Sequence, residues 1–425
     1  MQSNLQVEIS DAEKTNIINT VWDVVVVGGG MVGAAAALGL AQADFKVLLL
    51  EKTPPQLQWS NTHPYETRVS ALTRASENIL RNLGAWSGVV SRRGHAFKAM
   101  HIWDEASSGE VHFSAADIHE PNLGFVVENS VIQAAIWDQI VLSDKITTLF
   151  DRTVGELSLE EDFAKLELEG LGHVQTRLIV GADGAQSFIR NKAHIGLETH
   201  DYGQCAVVGC VQTELPNEDT CWQRYQKDGP FAFLAMDEQM SSIAWYLPLE
   251  KMEWALSLDD ASFAKQIEIA SEGRLGKILK IAEKAAFPLT RRHAEAYVKP
   301  HLVLVGDAAH TIHPQAGQGV NLGLLDVAAL IETLSNAKLE NAHKDWSRFA
   351  VLRRYERWRR GDNAIVQRSM EGFDWMFKQD TQLKNSVRSV ILPLANRLAP
   401  AKNWLMLQAL KGREATPLLA KGLVH

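Results

Sequence analysis

The sequence predicts an α/β fold: a discontinuous βαβ domain, an inserted β-sheet domain and a C-terminal helical segment. Three observations carry that prediction. Val24 to Val27 is a short apolar strand that runs into Gly28-Gly29-Gly30-Met31-Val32-Gly33 and then a small-residue helix, Ala34 to Ala43. A late apolar strand, His301 to Val305, runs into Gly306-Asp307 and a helix over Leu322 to Leu334. Between them, from about residue 201 to 295, apolar residues alternate with period two, as half-buried strands do.

The first unit is the most specific. Its glycines are spaced G-x-G-x-x-G: Gly28 allows a tight turn, Gly30 removes a side chain where a pyrophosphate would lie, and Gly33 lets the helix pack on the sheet. A second strand, Val47 to Leu50, delivers Glu51, which lies 18 residues past Gly33, where a ribose-binding acid is expected. Strand, glycines, helix, strand and acid in that order predict a Rossmann-like, dinucleotide-binding domain.

Further along, Thr73 to Leu83 has helical apolar spacing and ends at Gly84, and residues 99–121 carry alternating aromatics. Val131 to Leu142 reads as a helix, followed by strands at Thr147–Phe150, Lys165–Leu168 and Leu178–Val180. The last of these enters Gly181-Ala182-Asp183-Gly184-Ala185-Gln186-Ser187, with Arg190 one turn on, a D-G-x-x-S-x-x-R pattern. The 201–295 block is read as strands, including Ala206–Gln212, Cys221–Gln226, Phe231–Ala235 and Ser242–Leu247. It is aromatic-rich and lacks phosphate loops, which assigns it to substrate. Trp222, Arg224, Tyr225 and Trp245 are its candidate pocket residues. In the late stretch Gly306 to Asn321 an acid sits at a strand end and a Gly-rich turn feeds a helix N-terminus, a geometry for hydroxyls and anions. The organisation is therefore residues 1–21 as an N-terminal extension; 22–98, 122–200 and 296–345 as the βαβ domain; 99–121 and 201–295 as the substrate domain; and 346–425 as a helical region broken at Pro393 and Pro400.

Composition narrows the function classes. At 425 residues and 46% hydrophobic content the chain is globular, and its net charge of −8 argues against nucleic acid as a partner. Residues 348–425 nevertheless carry 15 Lys and Arg against 6 Asp and Glu, so a basic tail sits on an acidic body and can face anionic lipid or an acidic protein. The first 20 residues hold Glu8, Asp11 and Glu13 and no apolar core, unlike a signal peptide, and no apolar run reaches transmembrane length. A cytoplasmic location is expected, with the inner face of the membrane as a peripheral site. Cys205, Cys210 and Cys221 form no C-x-x-C and read as reduced core thiols. With no H-E-x-x-H and no Walker loop, no metal is expected.

Together the G-x-G-x-x-G loop, the middle D-G motif and the late G-D motif resemble the flavoprotein aromatic hydroxylases, the single-component FAD monooxygenases. The resemblance implies that the loop holds the FAD pyrophosphate, that Glu51 binds the adenosine ribose, that Gly306-Asp307 binds the ribitol, and that Pro314 to Asn321, including Gly317, Gly319 and Val320, lines the isoalloxazine. It gives Asp183 a role shared between FAD and NAD(P)H, places Arg68 near the flavin, and adds Lys52 and Asn129 to the cofactor-binding positions. Backbone N–H groups around Gly317 to Val320 can stabilise reduced flavin by about 0.3–2 kcal/mol. Val127-Glu128-Asn129, Trp222-Gln223, Asp228-Gly229-Pro230, Phe287 to His293 and His310 to Gly323 look like the ubiquinone-biosynthesis hydroxylases, most of all the branch acting on demethoxyubiquinol.

The resemblance implies O2 as co-substrate, NAD(P)H as a transient reductant, a C4a-hydroperoxide of the flavin as oxidant, and a polyprenyl quinol or phenol as substrate. No catalytic base stands out; His310, His313 and Pro314 flank the flavin turn and are the candidates. A five-carbon isoprene unit is worth about 4 kcal/mol of burial, so the prenyl tail is expected to stay in lipid or in a partner's groove. The apolar Phe373, Trp375, Met376 and Phe377, then Leu392 to Leu398 and Trp404 to Leu410, are where such docking is expected. A flavoprotein reductase would need a redox Cys pair or a second dinucleotide loop, and the sequence has neither. A sister hydroxylase acting on an earlier polyprenylphenol, and a non-catalytic FAD-binding subunit of the biosynthetic complex, stay open, as does the oligomeric state.

Overall fold

The computed structural model describes residues 10–60, 62–105, 110–311, 319–340, 345–377 and 416–422. His313, Pro314 and Gly317 lie outside the described residues, as do Leu392 to Leu398, Trp404 to Leu410 and the side chains of Phe373, Trp375, Met376 and Phe377.

The described chain begins with α1 (Asp11–Asn19), then β1 (Val21–Val27), α2 (Met31–Gln42) and β2 (Val47–Glu51). Next come β3 (Val69–Leu72), α3 (Arg74–Asn82), α4 (Trp86–Arg92), β4 (His95–Phe97), β5 (Ala99–Asp104), β6 (Glu110–Ser114), β7 (Gly124–Glu128), α5 (Asn129–Ile140) and β8 (Ile146–Phe150). β9 (Val154–Leu159), β10 (Ala164–Leu168), β11 (Gly172–Gly181) and α6 (Phe188–Lys192) follow. The middle of the chain supplies β12 (Leu197–Thr213), β13 (Thr220–Tyr225), β14 (Phe231–Ala235), β15 (Met240–Pro248), α7 (Met252–Ser257), α8 (Asp260–Ala270) and β16 (Ile278–Ala294). Last are β17 (Val298–Lys299), β18 (Leu302–Leu304), β19 (His310–Thr311), α9 (Gly319–Glu340) and α10 (Phe349–Phe377).

The first sheet has β18, β11, β1, β2 and β8 side by side and parallel. Helices cover it, so its strands are apolar without alternation: Val24 to Val26, Leu48, Leu49, Ile179, Val180 and Leu302 to Leu304 are all fully buried. Seven of the twelve residues of α2 are alanine or glycine, which brings helices close; a Cβ on Gly39 would lie 2.3 Å from Ile331 of α9. The sheet order has a consequence for function. Glu51, Gly28, Gly181-Ala182-Asp183 and Gly306 follow the carboxyl ends of four neighbouring strands, β2, β1, β11 and β18. Backbone hydrogen bonds zip those ends together: Gly28 N to Leu50 O at 2.8 Å, Ala182 N to Val27 O at 2.8 Å and Val305 N to Gly181 O at 3.0 Å. Ligands of open parallel sheets bind at such strand ends.

The second sheet runs β19-β16-β12-β15-β14-β13-β5-β6, and a third holds β3, β7 and β4. β5 and β6 reach the second sheet from far upstream, β5 pairing in parallel with β13. At the other edge β19 pairs with β16, His293 opposite His310, so the segment after Gly306 ties the two large sheets together. The 201–295 block is not all strand, as expected from its alternation. α8 crosses one face of the sheet, capped by Asp259 accepting from Ser262 N at 2.7 Å, and buries Phe263, Ile267 and Ala270 at helical spacing. The 1–21 extension also contains a helix, α1, with a Ser10–Glu13 capping box, seated by buried Ile17. The three cysteines are unpaired and buried, and burial pushes the thiols of Cys210 and Cys221 up to about 12, which makes them inert.

Candidate active site

Gly28 has φ +103°, and a Cβ there would lie 2.4 Å from Ala182 O. A Cβ on Gly33 would lie 1.8 Å from Gly28 O, so α2 starts as close to the β1 turn as backbone allows. Gly30 is different: nothing stands within 4 Å of its would-be Cβ. It is the N-cap of α2 and offers no side chain to the first turn, so the helix's leading N–H groups open onto vacant space. That is the cradle an anion needs. Glu51 accepts from Gly29 N and, at 3.1 Å, from Thr53 N. Those two bonds use half of a carboxylate's roughly four acceptor positions, leaving the rest for a diol. Lys52 beside it is exposed. Two residues that sequence reasoning missed anchor the loop from α5: Gln133 Nε2 and Trp137 Nε1 each donate to Gly29 O at 2.9 Å. Their i, i+4 spacing on one helix face was the available signal.

Asp183 spends its carboxylate inside its own turn, accepting from Ser187 Oγ at 2.5 Å and Ile189 N at 3.0 Å. It shapes the strand-to-helix turn. Arg190, at the end of the same motif, is buried and donates through Nη1 to Ala308 O at 2.9 Å, joining the D-G motif to the G-D motif.

Gly306 has φ +57° and its would-be Cβ lies 3.1 Å from Val32 in the first turn of α2, so the two glycine turns pack directly on each other. Asp307 follows. Its side chain keeps solvent access although protein atoms crowd around the carboxyl. Burial among the surrounding protein pushes its carboxyl above the ordinary carboxylate range, opposed by His310, Arg292 and Arg68. Arg292, on β16, is a site residue the sequence reading missed. A carboxyl raised by folding binds its proton more tightly in the folded state, so it costs stability at neutral pH and that cost is relieved as pH falls through the raised value. Asp307→Asn is therefore expected to raise the melting temperature of cofactor-free protein at pH 7 and to flatten its gain on acidification, while weakening cofactor retention. Thermal melts of apoprotein across pH, with flavin titrations, check both.

Three other expected site residues turn out to hold the frame. Asn321 is buried, donating to Ala71 O at 2.8 Å and accepting from Thr73 N at 3.0 Å and Ser76 Oγ at 2.6 Å, so its side chain locks α9 to the start of α3 rather than facing a ligand. Asn129 donates its N–H to Arg68 O at 3.0 Å and accepts from Ser70 Oγ at 2.7 Å, holding the strand that carries Arg68. His310 is buried with Nε2 2.5 Å from Asp326. Val320 is buried in the main core, and Gly319 opens α9 with its would-be Cβ 3.9 Å from Asp307 Oδ1.

The four candidate pocket residues do not share a face. Arg224 donates to Ala270 O at the end of α8 at 3.0 Å, Trp245 packs in the cluster beneath α8 with Phe231 and Phe263, and Trp222 stacks under Arg274. These three point away from Asp307, because strand residues alternate and Trp222 and Arg224 share one parity. Tyr225 has the other parity. Tyr246 pairs with Ala206, and Ala206 with Phe287, in one row across the sheet, and the Arg68 guanidinium lies over the Phe287 ring at 4.7 Å. Arg68, which with Arg292 acts electrostatically on Asp307, thereby brings this row next to the strand-end acid.

Residues 21–368 match the family described as FAD binding domain. The chain belongs to this family. It is 38% identical over 392 residues to the 3-demethoxyubiquinol 3-hydroxylase of Escherichia coli (strain K12), covering 92% of this chain and 99% of that one. It is 31% identical over 412 residues to the ubiquinone hydroxylase UbiL of Rhodospirillum rubrum, covering 96% and 95%. The crystal structure of p-nitrophenol 4-monooxygenase PnpA from Pseudomonas putida DLL-E4 has a TM-score of 0.73 at 16% identity, covering 92% of this chain and 98% of that one, a likeness of fold. The chain is thus a flavoprotein enzyme of the FAD-dependent monooxygenase type. The open cradle above Gly30, the acceptor positions left on Glu51 and the exposed acid at Asp307 fit that cofactor. Among the described residues there is no cluster of His, Cys, Asp and Glu that could hold a metal ion, and no helix long and apolar enough to cross a membrane.

Proposed function

We propose that this chain hydroxylates the ring of a polyprenylated quinol or phenol in ubiquinone biosynthesis, and that demethoxyubiquinol is its substrate. The observation that carries this reading is the near end-to-end similarity to a 3-demethoxyubiquinol 3-hydroxylase. The site supports it: four strand-end motifs converge below a sheet row, Tyr246–Ala206–Phe287, that is apolar apart from one phenol and suits a flat ring. When bound, FAD supplies the electrons that activate O2 for insertion into an electron-rich ring. The α2 N-terminus binds the pyrophosphate, Glu51 the adenosine ribose and Asp307 the ribitol. Arg68 and Arg292 give the flavin end a positive field, and the sheet row excludes water from the reacting centre. NAD(P)H is the reductant, visiting transiently, since the sequence has a single G-x-G-x-x-G.

The test is single turnover with a short-tailed demethoxyubiquinol: reduction by NAD(P)H without oxygen, then addition of labelled O2 and mass spectrometry of the product. One labelled oxygen on the ring is expected. Product only from an earlier polyprenylphenol would assign a sister hydroxylase. Reducible FAD with no product from either ring would make the chain a non-catalytic subunit.

The substrate's tail calls for a lipid surface. α10 exposes Arg353, Arg357, Arg360 and Arg368, residues whose spacing puts them on one helix face. At about 1 kcal/mol per basic residue near an anionic bilayer, the double variant Arg357→Glu, Arg360→Glu is expected to lose tenfold or more in co-sedimentation with anionic vesicles, and none with neutral ones. Equal binding of variant and wild type would remove this surface from the reading.

A further inference from the structure

Asp326, on α9, is fully buried and its carboxylate takes four donors. Oδ2 accepts from Gly306 N at 3.1 Å and His310 Nε2 at 2.5 Å. Oδ1 accepts from Arg359 Nε at 2.7 Å and Asn363 Nδ2 at 3.3 Å. The first pair brackets Asp307, one donor immediately before it and one three residues after. The second pair comes from α10, a helix outside every FAD motif. Burial opposes ionisation of Asp326, but His310 and Arg359 outweigh it and hold the carboxyl at about 2, so the carboxylate is charged whenever the enzyme works.

We propose that Asp326 and Arg359 are positioning residues for the flavin end of the site: through them α10 sets the orientation of Asp307, and with it cofactor retention and flavin redox potential. The proposal rests on the FAD reading above. Three pins act on one short stretch. Asp326 holds Gly306 in its left-handed conformation, holds His310 at the far end, and Arg190 holds Ala308 O between them. Ala308, Ala309 and His310 are buried as a result, and Asp307 is the residue of the turn left exposed. Two of the three pins trace to one carboxylate, and that carboxylate is oriented by Arg359, itself braced by Asp362 at 3.2 Å and Asn363 at 2.9 Å.

α10 also has a separate seat on the strand feeding the turn. Tyr355 Oη donates to Leu304 O at 2.9 Å, and Glu356 accepts from Tyr297 N at 2.8 Å. Neither bond touches Asp326. A variant at Tyr355 therefore loosens the helix without touching the clamp, whereas variants at Arg359 or Asp326 break the clamp as well as costing stability.

The experiment compares Asp326→Asn, Arg359→Gln, Arg359→Lys and Tyr355→Phe, measuring FAD dissociation, flavin absorbance, midpoint potential and the melting temperature of apoprotein. Asp326→Asn and Arg359→Gln are expected to weaken FAD retention roughly tenfold, as loss of an orienting partner behind a ligand-binding group commonly does. If the loss differs tenfold between oxidised and reduced flavin, the midpoint moves by about 30 mV for a two-electron couple. Arg359→Lys keeps the charge but not the fork and should fall between. Tyr355→Phe should lower the melting temperature with retention and potential unchanged. The proposal is overturned if the clamp variants lose melting temperature as Tyr355→Phe does while keeping wild-type retention and potential. A wild-type chain that retains no FAD would overturn it together with the FAD reading, and the two failures are told apart by the wild-type result alone.

Discussion

Gly33→Ala is expected to leave a chain that holds no FAD and is destabilised by more than about 3 kcal/mol, the range reserved for overpacking that has no escape. The new methyl carbon would sit 1.8 Å from Gly28 O and 2.9 Å from the Ala182 Cβ. The nearest obstacle is backbone at the end of a central strand, whose own would-be Cβ is already against Ala182 O, so neither turn can retreat. Gly30→Ala makes the opposite case two residues away. Nothing lies within 4 Å of its Cβ and its φ is −64°, which any residue adopts. Alanine is a poorer N-cap than glycine by up to about 1 kcal/mol, while it stabilises by roughly the same amount through a less disordered unfolded chain. The two nearly cancel, so apoprotein stability should hold while FAD retention falls. Flavin-to-protein ratios after gel filtration, with apoprotein melts, separate the two effects. A Gly30→Ala protein that kept its FAD would move the pyrophosphate elsewhere.

Arg359→Met is expected to cost about 3–5 kcal/mol, because it strips the arginine from a carboxylate with no solvent exposure. Urea denaturation measures it. Combining it with Asp326→Leu should recover part of the loss, since an apolar pair of similar volume often replaces a buried ion pair without penalty. The pH dependence has a definite sign. Folding lowers the Asp326 carboxyl from 3.8 to about 2, so its contribution is fully present above 3.8 and is lost as pH falls toward 2. Without Arg359 the folded value rises, and the acid limb of the stability curve should move to higher pH. An unchanged acid limb would mean that His310 alone keeps the carboxylate charged.

How legible each part was follows from the range of the interactions involved. The G-x-G-x-x-G loop and Glu51 were legible because their constraints are local: a turn that forbids Cβ atoms, a helix start without a capping side chain, an acid at the next strand end. α8 was missed inside an alternating block, although Asp259 as N-cap and Phe263, Ile267 and Ala270 at helical spacing were there to be read. The four pocket candidates fall on two faces of the sheet for a different reason. Trp222, Arg224 and Tyr225 are neighbours in sequence, and in a strand neighbours face opposite ways, so composition cannot say which of them meets the ring.

The chain's sequence alone determined a unit of the dinucleotide-binding type at the ends of parallel strands, since glycine spacing and an acid at a set distance state steric and electrostatic requirements that hold in any such unit. Tertiary structure alone decided which motifs are neighbours and which polar residues face the ligand. Sheet order put β18, β11, β1 and β2 side by side, though their residues span from Val21 to Leu304. It turned Asn321 and His310 inward to partners on other elements, and left Asp307 the exposed residue of its turn. A buried polar group must find its donor or acceptor wherever the fold brings one, and Asp326 found Arg359 on the next helix, a contact no local pattern encodes.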